Sequence, residues 1–218
     1  RLGIKIKKGC MMRKKCVDYI EERQKILGDI PKIDISDRLE KLKNFYREKD
    51  IIIKFAPDYP DNPHLNAHIT RSKKKVVIFS SEWAFQLIFK NCIEAEMGFI
   101  YTLGHELTHK EIDIFPLKYP HCCKFIAWAN EMHADYGSSI KVFNGDTQKT
   151  VKAMNFVGSF NNYDIEDFSH PSWVRRLYYI QKYPLWGEDL IRRIARDTRC
   201  FNERIIRKII NHYTITKI

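Results

Sequence analysis

The five residues His105-Glu106-Leu107-Thr108-His109 constrain this chain more than any other stretch. They sit in a run from about Glu94 to Lys110 whose pattern predicts a helix. On a helix, residues four apart lie one turn above each other on the same face. Two imidazoles so placed can bind one Zn²⁺ together, each at roughly 2.0–2.1 Å. Glu106 follows the first histidine and can sit beside a metal-activated water, where its carboxylate can take a proton. The spacing also arises by accident, so the rest of the chain has to supply what a catalytic zinc needs.

That need is a third protein ligand and an open position for water. The pattern HExxHxxGxxH would supply a third histidine. Its glycine and histidine positions are Ile112 and Phe115 here, which excludes the metzincin arrangement. The next predicted helix offers Asn130-Glu131-Met132-His133-Ala134-Asp135 instead. Glu131 and Asp135 stand at i, i+4 and share one face. Glu131 can therefore ligate zinc while Asp135 accepts a hydrogen bond from a ligand imidazole and fixes its tautomer. His133 lies about 200° round the helix from Glu131. The two do not suit one ion, and Glu131 is the favoured ligand.

A chain of 218 residues that is 44% hydrophobic can bury one substantial core. It carries 38 Lys+Arg against 27 Asp+Glu, a net charge of +11. Arg1, Lys5, Lys7, Lys8, Arg13, Lys14 and Lys15 fall in an opening stretch without an acid, and Arg192 to Lys208 is also arginine-rich. Such patches suit anionic surfaces, whether nucleic acid, membrane or acidic polypeptide, although a solvated surface explains them equally. No GxG loop, zinc-ribbon spacing or RNA-binding signature sharpens the nucleic-acid option.

Cysteines 10, 16, 92, 122, 123 and 200 are irregularly spaced, which reads as reduced thiols in a cytoplasmic setting. His121-Cys122-Cys123 reads as loop or core residues rather than a second metal site, because adjacent cysteines rarely chelate one tetrahedral ion alone. The most apolar region, Trp83 to Gly104, is broken by Lys90, Glu94 and Glu96, short of the ~18 uninterrupted apolar residues a membrane span needs. Because the sequence opens on Arg1, an upstream targeting or anchoring segment stays open.

Along the chain, residues 1–35 read as a basic leader with a helix over about 10–27, and 36–218 as the main domain. Ser36 suits the N-cap of a helix through Leu39, Leu42, Phe45 and Tyr46. Strands are expected at Ile51–Phe55 and Lys75–Phe79, with extended chain at Asn66–Thr70 between them. A helix through Trp83, Leu87 and Ile88 precedes the pentapeptide helix. Further helices are expected at about Lys124–Phe143, Gln148–Val157, Ser172–Lys182, Gly187–Asp197 and Phe201–His212. The fold class is α+β, helix-dominated, with a small early sheet.

HExxH followed by NExxxD resembles the gluzincin metallopeptidases. Further stretches are similar to the soluble catalytic core of the HtpX/CAAX-prenyl-endopeptidase family. Asn66-Ala67 ahead of Val76-Val77-Ile78-Phe79 resembles its edge strand, Glu94 through His105 the run into its zinc helix, and Ser169-His170-Pro171-Ser172 with Arg176-Leu177 its His-Pro…Arg signature. The likeness covers about 50–180, leaving 183–218 as appended C-terminal helices. It implies a single zincin-like domain with an HExxH active-site helix and one zinc on His105, His109 and Glu131. It also implies substrate held beside Asn66 and Ala67, His170 as donor to the oxyanion, and Arg176 positioning the loop or binding a carboxylate. Tyr163 is an alternative donor, and the alternative reading of His170-Pro171 is a loop histidine followed by a proline that starts a helix at its first position. Just 21 residues, 110–130, separate His109 from Glu131. This short link resembles a second group, the ImmA/IrrE-type regulatory peptidases that cleave a repressor. The His170-Pro171…Arg176 piece favours the first family.

The expected activity is zinc-dependent endopeptidase action on a polypeptide substrate, through a metal-activated water with Glu106 as general base. The contrasting expectation is a non-catalytic zinc-fold module whose basic faces bind nucleic acid or anionic membrane. Substrate, cleavage preference, oligomeric state and any latency are not legible.

Overall fold

The computed structural model describes residues 51–56, 67–69, 75–80, 93–159 and 165–215. The leader, the Ser36 helix, the helix through Trp83, Asn66, Tyr163 and Cys10, Cys16 and Cys92 lie outside the described residues. The chain divides into two compact units, Arg1–Phe99 and Ile100–Ile218, and each is described by itself.

In the first unit, β-branched runs form strands because such side chains fit a pleated, half-buried surface. Strands β1 (Ile51–Ala56), β2 (Ala67–Ile69) and β3 (Lys75–Ser80) form a sheet of order β1-β3-β2. β1 runs parallel to β3, with Ile52 opposite Val76 and Phe55 opposite Phe79. β2 runs antiparallel to β3, with Ala67 opposite Phe79. Val77 is fully buried at the centre of β3.

Six α-helices dominate the described residues. Helix α1 (Ile93–Ile112) carries Glu94 and Glu96 in its first turn, where carboxylates favour the exposed N–H groups. After two short 3₁₀ turns come α2 (Cys123–Phe143) and α3 (Thr147–Gly158). They are followed by α4 (Trp173–Lys182), α5 (Glu188–Asp197) and α6 (Glu203–Ile215). No helix among the described residues is long and apolar enough to cross a membrane.

Helix α2 is the axis of the second unit: every residue from Phe125 to Ser139 is buried. A helix buried all round must satisfy its polar side chains internally. Ser138 Oγ donates to the Tyr101 carbonyl of α1 at 2.7 Å, and Ser139 Oγ shares a 2.7 Å hydrogen bond with Thr150 Oγ1 of α3. Asn130 Nδ2 donates to Ile114 O at 2.9 Å, while its Oδ1 accepts from Ile114 N at 3.2 Å and from the Tyr213 hydroxyl. Where α1 passes α2, Gly137 is required: a Cβ there would lie 2.5 Å from Thr108 Cγ2.

The ends follow local chemistry. Asn144, at φ 53°, ends α2 in the left-handed region, a conformation Asn tolerates. Asp146 caps α3 by accepting from Lys149 N. Ser172 caps α4 by accepting from Arg175 N. Pro171 therefore precedes the cap and is not the helix's first residue.

In the arginine-rich segment from Arg192 to Lys208, three of the seven basic side chains, Arg192, Arg193 and Arg207, form ion pairs within α5 and α6. Arg192 donates to Glu188 at 2.6 Å and to Glu203 at 3.0 and 3.1 Å. Arg193 donates to Asp197 at 2.9 Å and Arg207 to Glu203 at 3.0 Å.

Candidate metal centre

The predicted helical register of the pentapeptide is observed, and α1 presents both histidines toward α2. His105 Nε2 and His109 Nε2 stand 2.9 Å apart. Glu131, entering from α2, places Oε2 3.3 Å from His105 Nε2 and Oε1 3.3 Å from His109 Nε2. These donor atoms lie within 4.8 Å of one another, and the three residues could hold a metal ion. Glu106 is half-buried on α1.

The outward nitrogens of the two imidazoles are also engaged. His105 Nδ1 lies 2.8 Å from Asp135 Oδ1, one turn along α2 from Glu131. Asp135 is fully buried and collects further donors: the Tyr101 hydroxyl, Arg176 Nε at 2.9 Å and Arg176 Nη2. Burial alone would push the Asp135 carboxyl up, but Arg176 and the His105 hydrogen bond outweigh it and hold it at about 2. Arg176 is itself buried, its Nη1 3.8 Å from Glu131 Oε2 and its guanidinium 4.1 Å from the centre of the Trp173 ring. Arg176 is thus paired with the Asp135 carboxylate, which also bonds His105.

His109 Nδ1 faces Asp113, at 2.9 and 3.0 Å from its two oxygens. Burial disfavours charge on both imidazoles. The neighbouring carboxylates prevail, so His105 is raised above the usual histidine value and His109 well above it. For Glu131, burial is outweighed by the charges of His170 and His109 and by hydrogen bonds from both helix histidines, keeping its carboxyl well below the usual range.

His170 arrives on the loop before α4. Asp167 Oδ1 accepts from the backbone N–H of Ser169 and of His170, both at 2.6 Å, and from Ser169 Oγ at 2.9 Å. Ser169 Oγ lies 2.8 Å from His170 Nδ1. The loop is fastened to α2 by Trp128 Nε1, which donates to Asp167 O at 3.2 Å, and to α4 by an Arg175–Glu166 ion pair of 2.6 Å. The result turns His170 Nε2 to 3.4 Å from Glu131 Oε1, with the side chain half exposed.

The structure therefore brings together His105, His109, Glu131, Asp135, His170 and Arg176. His133 is directed elsewhere, stacked 4.5 Å from Tyr213 and edge-on to Trp186 at 5.2 Å. Ala67 opens β2 in the other unit. Sequence reasoning missed Tyr101, Asp113 and Asp167. Asp113 carried a readable signal, because it stands four residues after His109. Compared with family models, curated proteins and solved structures, the chain matches none.

Proposed function

We propose that this chain is a zinc-dependent endopeptidase of the gluzincin type. The observation that carries the reading is the convergence of two imidazole nitrogens and one carboxylate, with His170 beside the same carboxylate. Donors at tetrahedral corners around zinc stand about 3.3 Å apart, given ligand distances of 2.0–2.1 Å. The two histidine–glutamate separations are 3.3 Å, one to each carboxylate oxygen, and the two imidazole nitrogens stand 2.9 Å apart, close to that spacing. Two nitrogens and one oxygen from three side chains form the donor set of a catalytic rather than a closed structural site.

Bound zinc supplies a water acidic enough to act as a nucleophile near neutral pH and polarises the scissile carbonyl. The chain's own groups do the rest. Glu106, next to the first ligand, takes the water proton and delivers it to the leaving amine. His170 offers Nε2–H to the oxygen on which negative charge develops. Asp135 and Asp113 hold the ligand imidazoles with Nε2 facing the ion. The placement of His170 and Arg176 around Glu131 and Asp135 supports likeness to the HtpX/CAAX-prenyl-endopeptidase family over the ImmA/IrrE type. Ion pairs at Arg192, Arg193 and Arg207 compensate part of the positive charge of that segment. We read the setting as cytoplasmic.

The test is Glu106→Gln. Zinc content by elemental analysis should equal wild type, while cleavage of a peptide library falls by about 10²–10⁴-fold. Undiminished cleavage in that variant would overturn the assignment.

A further inference from the structure

Away from the metal centre, two thiols meet. Cys122 ends the 3₁₀ turn ahead of α2, and Cys200 follows the end of α5, 78 positions later. Both are buried, and their sulfur atoms lie 3.1 Å apart, about 1 Å more than a disulfide bond. The backbone delivers Cys200 deliberately. Arg199 takes φ 57°, the left-handed region that non-glycine residues adopt at a cost, and Cys200 N then donates to Ala195 O at 2.8 Å. Cys123 faces the other way, its thiol donating to Pro116 O and Tyr119 O at 3.3 Å each. Among the described residues no group of metal ligands forms around the pair.

We propose that Cys122 and Cys200 are a site of oxidative modification, closing a disulfide that ties the start of α2 to the α5–α6 turn. The oxidant is a small disulfide such as oxidised glutathione. One cysteine, having lost its proton, attacks a sulfur of the oxidant and releases one glutathione thiolate. The second, likewise deprotonated, attacks the mixed disulfide at the protein's sulfur and releases the other. The protein gives up two protons and two electrons, and one oxidised glutathione becomes two reduced. Burial pushes the Cys122 thiol up to about 12, with Cys200 adding to the effect, so thiolate is scarce. The pair therefore answers sustained rather than brief oxidation, and the closed bond is shielded by the same burial. The bond lies outside the candidate metal donors.

The experiment incubates the full chain with excess oxidised glutathione, alkylates remaining thiols under denaturing conditions and maps the peptides. The expected result is a Cys122–Cys200 linked peptide and a melting temperature raised on the order of 10 °C, reversed by dithiothreitol. Cys200→Ser should lose both changes, and Cys122→Ala should do so independently should the first variant fold poorly. The proposal is overturned if both cysteines stay fully alkylatable, if they end as glutathione adducts, or if Cys122 is linked to another cysteine.

Discussion

His105 and His109 stand one turn apart on the same helix and face the same carboxylate, yet they are held by opposite means. His105 is fixed by tertiary structure: Asp135 from α2 takes its Nδ1, and Arg176 from α4 and Tyr101 from α1 lock Asp135. His109 is fixed locally, by Asp113 one turn further along the chain, whose side chain is 35% exposed. The first support exists only once three helices have packed, and its charges are buried. The second needs only the end of one helix and lies in water. Equal spacing in sequence thus conceals a firmly held imidazole and a locally held one.

The sharpest way to break this comparison is Arg176→Met. It strands the Asp135 carboxylate in the core, and urea unfolding should show a loss of about 3–5 kcal/mol, the usual cost of removing one partner from a buried pair. Wild-type stability would mean that Asp135 does not depend on Arg176. Next comes Asp135→Asn, for which competition with a chelator should show zinc affinity reduced about 10–100-fold.

A third histidine sharpens the contrast, because His133 has neither support. Its ring nitrogens have no hydrogen-bond partner among the described residues, and burial lowers it to about 3. Its folded value lies below the unfolded one, so its contribution is intact above pH ~6.5 and is lost as pH falls toward 3, by up to about 1.4 kcal/mol per unit. Acid titration of stability should be shallower in His133→Phe.

The smallest effect belongs to Asp113→Asn: about tenfold in zinc affinity at most, with stability unchanged within ~0.5 kcal/mol. Because Asp113 helps to raise His109, protons should compete less well in this variant. Its loss of zinc on acidification should therefore begin at lower pH than in wild type. A loss of stability as large as that of Arg176→Met would erase the distinction between the two supports.

What the sequence disclosed follows the range of each interaction. The pairs His105/His109 and Glu131/Asp135 were legible because helical periodicity alone puts i and i+4 on one face. Asp113 obeyed the same rule but stands just past the last helical residue, where chain direction no longer follows from periodicity. Tyr101 reaches Asp135 across two helices, and Cys200 reaches Cys122 across 78 positions. Neither meeting has a local signature. Asp167 organises its loop through backbone N–H groups, which leave no mark in composition.

Asn130 ties α6 to the candidate metal centre. Its one amide grips Ile114, just beyond the histidine helix, receives Tyr213 from α6, and immediately precedes Glu131. A processing cut or an appended tag that unwinds the final turn of α6 would remove the Tyr213 arm of this joint. On the proposed reading, Glu131 then loses the anchoring of its neighbour, and retained metal becomes a practical gauge of whether α6 has been left intact.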